Sequence, residues 1–235
     1  ARNSLRPGRL AMTTLVFFTI AYLVVTIAIG LYAAKFVSNA KDYLVAGRGL
    51  PLYMNVATVF ATWFGAETVL SVSATFVKDG LGGIPADPFG ATFCLIFVAL
   101  FFARAFYRLD LLTIGDFYKK RYGRGVEVLT SLAVTLSYLG WTSAQLTALG
   151  IVFNSLSQGA ITLDQGIIIG AVVVLIYTTF GGMWAVALTD LFQSFVIVVG
   201  LFYVAYLATG MAGGVGNVIS HASDAGKFQF WPTGG

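Results

Sequence analysis

An apolar segment at residues 56–77 is interrupted near its middle by residue types that could bind an ion or a small polar molecule. Gly65 and the carboxylate of Glu67 lie there beside Trp63 and two threonines. A charged side chain at the centre of a membrane-spanning helix costs about 2.5–3.5 kcal/mol, so we expect Glu67 to face protein, water or a ligand. Gly65 permits a local break, and a helix that opens at membrane depth offers carbonyls and amides that can hold an ion or a polar solute.

A second polar stripe occurs further along the chain, where Ser137, Trp141 and Gln145 are spaced four residues apart and share one helix face. Hydrogen bonds between membrane helices would explain this stripe as well as a ligand site would. The pair of indoles at Trp63 and Trp141 favours a ligand, because an aromatic face attracts a desolvated ammonium group by about 2 kcal/mol. A protonated Glu67, which needs no counter-ion, is the competing explanation. The expected substrate-binding residues are Trp63, Gly65, Glu67, Thr68, Trp141 and Gln145.

The composition places these segments in a membrane protein. The chain of 235 residues is 58% hydrophobic and 10% charged, whereas a soluble domain has about 25% charged residues. A single cysteine, Cys94, provides no disulfide framework and no metal signature. The net charge of +4 does not indicate nucleic-acid binding, because the basic residues lie in short loops between apolar segments, where they set orientation instead.

About six apolar stretches approach or exceed the roughly 20 residues that a bilayer crossing requires. They are residues 12–34, 52–77, 84–103, 125–156, 163–181 and 188–210. The first has too long an apolar core for a signal peptide, so we interpret it as a helix of the protein itself. Between the third and fourth stretches, residues 111–122 alternate apolar and basic positions at helical spacing, which predicts a helix in the membrane interface.

Lysine and arginine are concentrated in the loops on one side of these spans. The loop after the third span is the most basic, with Arg104, Arg108, Lys119, Lys120, Arg121 and Arg124. By the positive-inside rule this loop and the shorter basic loop after the first span are cytoplasmic. We therefore expect a multi-pass protein of the cell (inner) membrane with its N-terminus outside, even though that terminus carries Arg2, Arg6 and Arg9.

A specific run of residues occurs in the second half of the chain. Gly181-Gly182 is a turn signal, and residues 189–193 then read Thr-Asp-Leu-Phe-Gln. This combination resembles the sodium/solute symporter family, and Asp42-Tyr43 precedes the interrupted segment in an order that also fits. The resemblance covers nearly the whole chain, from about residue 12 to residue 232.

The resemblance implies an all-α integral membrane protein with a LeuT-like inverted-repeat fold, of which the leading helix and the first five-helix repeat are present. The expected organisation is a leading helix and cytoplasmic loop at residues 1–50, the first repeat at 51–210 and an external loop at 211–235. The C-terminal half of the carrier, missing from this sequence, is then an expected partner, together with a small-molecule solute and the lipid bilayer.

The function that the resemblance implies is sodium-coupled symport of a small organic solute by alternating access. A transporter-like sensory membrane domain of a signalling protein is the alternative, and a downstream kinase sequence would identify it. An enzyme or a channel is not expected, because the sequence shows no nucleophile–base pair, no paired carboxylates and no repeated pore filter.

The resemblance also implies where a sodium ion would bind. The matching backbone carbonyls are those of Ala61 and Phe64, with hydroxyl ligands supplied by the second repeat. Asp190 matches a carboxylate that helps to bind a second sodium in some relatives. An acid at a helix N-terminus, stabilised by the helix dipole, explains Asp190 equally well. Oxygen ligands without sulfur suit a hard cation.

Within the family, the tryptophans at positions 63 and 141 make the chain most similar to choline carriers. Two departures count against choline itself, because Glu67 replaces a glycine and Ala91 replaces a tyrosine of that pattern. An amine or an amino acid could use Glu67 as a counter-ion. Sugars and carboxylates remain open at this point.

Overall fold

The computed structural model describes residues 7–231, and all regular secondary structure in that part of the chain is helical. The α-helices are α1 Pro7–Ala33, α2 Ala40–Val45, α3 Leu52–Trp63, α4 Ser73–Asp79, α5 Ala91–Phe97, α6 Arg104–Arg108, α7 Ile114–Tyr122, α8 Arg124–Leu156, α9 Leu163–Met211 and α10 Val215–Asp224. Wider π-helical turns occur at Glu67–Val72, Pro85–Gly90 and Val98–Ala103. The expected all-α class is therefore confirmed, whereas the inverted-repeat fold stays a prediction.

Three helical segments of the described part are long and apolar enough to cross a membrane: Thr14–Phe36, Pro85–Arg108 and Leu163–Met211. A fourth is added if Ala40–Arg48 and Leu52–Trp63, which are bent by 106° relative to each other, form one broken span. The sequence predicted about six spans. Two of them, at 163–181 and 188–210, lie in one helical run, and the rest of the difference has two local causes. The predicted span 52–77 is broken into shorter helices, and the serines, threonines and glutamine of α8 lower its hydropathy.

Helix α9 contains two predicted spans in one helical run of 49 residues. A straight helix of that length would measure about 74 Å, more than twice the roughly 30 Å of a bilayer core. The backbone leaves helical geometry at Gly182, where φ is 51° and ψ is −141°. The turn predicted from Gly181-Gly182 is therefore present as a break inside a longer helical run.

The chain divides into two units, one built from residues 7–58 and 112–191 and the other from residues 59–111 and 192–231. In the first unit, α1 packs closely against α9. A side chain on Gly30 would collide with Tyr177, and a side chain on Gly181 would collide with the carbonyl of Gly30. The rings of Phe36 and Trp184 lie 5.3 Å apart between their centroids.

The break at Gly182 is covered by α2. Asn39 caps this short helix by accepting a hydrogen bond of 2.9 Å from the amide of Asp42. The hydroxyl of Tyr43 donates to the carbonyl of Thr178 at 3.2 Å, one turn before the break. A hydroxyl at this position can pair with carbonyls that lack a partner where a helix ends. The Asp42-Tyr43 pair lies far from Gly182 in the sequence, yet it helps to hold the backbone at the break in place.

The predicted interfacial helix is present as α7. Thr113 and Asp116 form a reciprocal capping box at its N-terminus, and Gly115 packs directly against Ser131 of α8. Lys119 forms an ion pair of 3.3 Å with Glu127 of α8. Hydrogen bonds from the backbone amides of Thr113 and Leu112 hold the pKa of Asp116 below its usual value.

The lowered pKa of Asp116 predicts an acid-sensitive helix start. A carboxyl group whose pKa is depressed by folding contributes stability that is complete above its unfolded pKa of about 4 and is lost as pH falls through the folded pKa. We expect hydrogen exchange in the first turn of α7 to accelerate below about pH 4, after correction for the intrinsic exchange rate.

The start of α9 is a matched control for this measurement. Its capping box is uncharged, because the amide of Thr162 donates to Gln165 Oε1 at 3.0 Å and the amide of Gln165 donates to Thr162 Oγ1 at 3.3 Å. Exchange there should show no such acid dependence. Equal acid sensitivity at both helix starts would contradict the role of Asp116.

In the second unit, the segment after α10 returns to the loop that follows α4. The amide of Leu81 donates to the carbonyl of Lys227 at 2.8 Å, and the amide of Gly82 donates to the carbonyl of Gln229 at 3.1 Å. Lys227 Nζ also donates to the carbonyl of Lys78 at 2.8 Å. The N-terminal Arg2 and Arg6 and residues 232–235 of the expected external loop lie outside the described residues.

Candidate functional site

The predicted break in the segment 56–77 is present in the second unit. Helix α3 ends at Trp63, and a π-helical turn begins at Glu67. Between them, the amide of Phe64 still donates to the carbonyl of Phe60 at 2.7 Å, and the amide of Val69 donates to the carbonyl of Gly65 at 3.2 Å. Helical structure is thus interrupted at Phe64 and Gly65, and a π-helical turn follows from Glu67.

Local chemistry explains why the helix breaks here. The hydroxyl of Thr68 donates to the carbonyl of Trp63 at 3.0 Å. Threonine side chains compete with the helix ladder in this way. Gly65 lowers the helix propensity of the same stretch by about 1 kcal/mol relative to alanine. Single π-helical turns inside α-helices are frequent at functional sites, so the geometry supports the choice of this break as a candidate site.

The two chemically distinctive side chains of the break, Trp63 and Glu67, are both exposed. Trp63 is 43% exposed, and Glu67 has no ion pair with any side chain between residues 14 and 231. The stacked rings of Phe60 and Phe64, with centroids 4.9 Å apart, cover one side of the helix end. The carboxylate is therefore open to a ligand rather than neutralised within the described chain.

The other two expected substrate residues lie on α8, in the first unit. Trp141 is 43% exposed and makes an edge contact with Tyr138, with ring centroids 6.2 Å apart. Gln145 is half-buried one turn further along the same face. The structure brings Trp63, Gly65, Glu67 and Thr68 together in one unit and Trp141 and Gln145 together in the other. A joint site of both groups stays a prediction.

Asp190, the expected sodium ligand, lies on α9 in the first unit. It is half-buried and hydrogen-bonded to the side chain of Thr58 on α3. Thr58 Oγ1 is also 3.0 Å from the carbonyl of Met54, so its single hydroxyl proton can be directed to either oxygen. Asp190 follows the break at Gly182 by about two turns, whereas the helix dipole acts within the first turn. The explanation of Asp190 as a helix N-terminal acid is therefore wrong.

Sequence reasoning missed two residues that support these positions. Thr58, the partner of Asp190, looked like an ordinary helix residue, and no local pattern links α3 to α9. The sequence indicates Tyr43 only through the family resemblance and gives no sign of its hydrogen bond to the carbonyl of Thr178, which lies 135 residues later in the chain. Among residues 7–231, no cluster of three or more His, Cys, Asp or Glu side chains could hold a metal ion.

A family model of the sodium:solute symporter family matches residues 43–229. The chain is 28% identical over 193 residues to the high-affinity choline transporter 1 of Drosophila melanogaster, covering 81% of this chain and 31% of that protein. It is 27% identical over 212 residues to the sodium-coupled monocarboxylate transporter 1 of Homo sapiens, covering 89% of this chain and 34% of that protein.

A bacterial protein is similar to the same extent. The chain is 27% identical over 197 residues to the sodium/glucose cotransporter of Vibrio parahaemolyticus, covering 82% of this chain and 36% of that protein. The chain thus spans about a third of the length of the curated relatives it matches. No solved structure matches the chain.

Proposed function

Because the chain belongs to the sodium:solute symporter family, we propose that it is the first repeat of a carrier that couples entry of a small organic solute to sodium. Its relatives are transporters and not enzymes. The observation that carries the proposal is the interrupted helix at residues 64–65, because an opened helix at membrane depth is tolerated where it lines a cavity. We further propose the LeuT-like arrangement, with a second five-helix repeat as the partner and with α8 crossing the bilayer despite its polar residues.

The proposed sodium site uses backbone oxygens at the break. The carbonyls of Ala61 and Phe64 lie on either side of the end of α3 and are hard oxygen ligands, which suit sodium. Hydroxyls of the second repeat complete this site. Asp190, supported by Thr58, serves a second sodium. In this arrangement, the sodium ions stabilise both the opened helix and an ionised carboxylate.

The proposed solute is an amine or an amino acid. The names of the relatives include choline, monocarboxylate and glucose transporters, so their solutes are cationic, anionic and neutral and do not select one class. The feature that favours one class of solute is the carboxylate of Glu67 beside Trp63, because a carboxylate and an aromatic face both attract positive charge. Gly65 and Thr68 shape the same end of the site. Trp141 and Gln145 are proposed to complete it.

Uptake into vesicles that contain the complete carrier tests this function. An inward sodium gradient should drive accumulation of radiolabelled amines or amino acids, and an equal potassium gradient should not. A panel that also contains choline, glucose and lactate ranks the solutes. Uptake that is unchanged when potassium replaces sodium would sink the proposal of sodium coupling.

Replacing Asp190 by asparagine is expected to raise the sodium concentration for half-maximal uptake by about 10-fold or more. The change keeps the shape of the side chain but removes its charge, and a charge-assisted interaction contributes about 1.5–3 kcal/mol. Sodium titrations of uptake in the variant and the wild type measure the difference.

Asp164→Asn is the matched control, because this carboxylate is exposed in the first turn of the same helix. Its sodium dependence should equal that of the wild type. If Asp190→Asn lowered expression but kept the sodium affinity, Asp190 would be a packing residue and not an ion ligand.

A further inference from the structure

Helix α7 and the first turn of α8 display a basic surface, which we define as Tyr118, Arg121, Tyr122 and Arg124. Between residues 112 and 127 the chain has four basic residues and two acidic ones. Both acidic residues are engaged within this element, Asp116 in its capping box and Glu127 with Lys119. Within the part of the chain whose side chains are described, neither Arg121 nor Arg124 forms an ion pair with a carboxylate.

The length of α8 places this surface at the level of the lipid headgroups. Its 33 residues measure about 50 Å, whereas the bilayer core is about 30 Å thick, so roughly 10 Å of helix projects at each end. Helix α7 contacts α8 through Glu127 and Ser131, within the first two turns, or about 10 Å, of the helix start. This placement of the surface rests on the proposed function, in which α8 crosses the bilayer.

The side chains of the surface suit a layer of phosphate groups. The rings of Tyr118 and Tyr122 are stacked, with centroids 6.2 Å apart. The guanidinium of Arg121 lies 5.7 Å from the centroid of the Tyr122 ring and donates through Nε to its hydroxyl at 3.3 Å. Tyrosine rings are enriched at membrane interfaces, and a guanidinium pairs with phosphate through its remaining N–H groups.

We propose that this surface binds the headgroups of anionic lipids in the cytoplasmic leaflet. The capping box and the contact of Gly115 with α8 hold α7 in place, so the basic side chains are fixed at a constant height. Each basic residue near the bilayer surface raises the affinity for anionic lipids roughly fivefold. Loss of two such residues should then weaken lipid binding roughly 30-fold.

Thermal unfolding of the purified complete carrier in a neutral detergent tests the proposal. Added phosphatidylglycerol should raise the unfolding temperature, whereas phosphatidylcholine with the same acyl chains and inorganic phosphate should not. In the variant Arg121→Gln/Arg124→Gln, the concentration of phosphatidylglycerol needed for half of the rise should increase roughly 30-fold. The readout involves no transport, so it can fail while the proposed function holds.

Lys78→Gln is the control, since it removes a positive charge at an exposed position outside the surface, in a loop predicted to lie on the opposite side of the membrane. It should respond to phosphatidylglycerol as the wild type does. A second measurement needs no variant, because raising the salt concentration towards 1 M shortens the screening length to about 3 Å and should suppress the rise in the wild type. An equal rise with phosphatidylcholine, with inorganic phosphate, or in the Arg121/Arg124 variant overturns the proposal.

Discussion

Replacing Gly182 by valine is expected to lower the free energy of unfolding of the first unit by about 2–5 kcal/mol. The backbone at Gly182 has a φ of 51°, and left-handed geometry costs a residue with a Cβ about 1–2 kcal/mol. A Cβ would also lie 2.6 Å from the carbonyl oxygen of Tyr43, and such overpacking costs about 1–3 kcal/mol more. Chemical denaturation of the purified protein in detergent measures the change.

Gly200 provides a matched control in the same helix. A Cβ at Gly200 would meet no atom within 4 Å, so Gly200→Ala should be neutral or should stabilise by up to about 1 kcal/mol. If the free energy of unfolding of the valine variant lay within about 1 kcal/mol of the wild-type value, the backbone at the break would be able to move away from Tyr43.

Replacing Glu67 by glutamine is expected to weaken binding of a cationic solute by about 1.5–3 kcal/mol, which is roughly 10- to 150-fold. The carboxylate is exposed and has no ion pair with the side chains of residues 14–231, so the solute would be its counter-ion. Trp141→Leu should cost less, within the cation–π range of about 0.5–2 kcal/mol. Equilibrium binding to the complete carrier, measured across pH, gives both values.

Asp79→Asn is a suitable control, since this carboxylate lies at the end of α4 in the same unit as Glu67. It should leave solute affinity unchanged. The pH series separates a charged Glu67 from a neutral one. If Glu67→Gln bound the solute as the wild type does, with only the pH dependence gone, neutral or anionic solutes would replace amines as the leading candidates.

The features that could be predicted from the sequence depend on neighbouring residues. The break near Gly65, the helix at 114–122 and the turn at Gly182 all follow from glycine, threonine and charge patterns within a few positions. The apolar stretches at 12–34 and 84–103 likewise coincide with long helical segments. These local signals placed each part of the candidate site on the correct kind of element.

The features that could not be predicted join distant residues. The hydrogen bond between Thr58 and Asp190 and the one between Tyr43 and Thr178 depend on how α3 and α2 meet α9. No spacing within one helix encodes such pairs. The continuous span predicted at 52–77 is absent. The average hydropathy of a segment gives no sign of a local hydrogen bond such as the one from the Thr68 hydroxyl to the carbonyl of Trp63.

The interleaving of the two units sets an order for their completion during synthesis. Residues 59–111 leave the ribosome before residues 112–191, but their partner segment in the second unit begins only at residue 192. The hydrogen bonds from Leu81 and Gly82 to Lys227 and Gln229 therefore close last. Until then, the amides of Leu81 and Gly82 lack the carbonyl partners that they have in the complete unit. A nascent chain stalled before residue 227 should consequently be the form most exposed to membrane quality-control proteases.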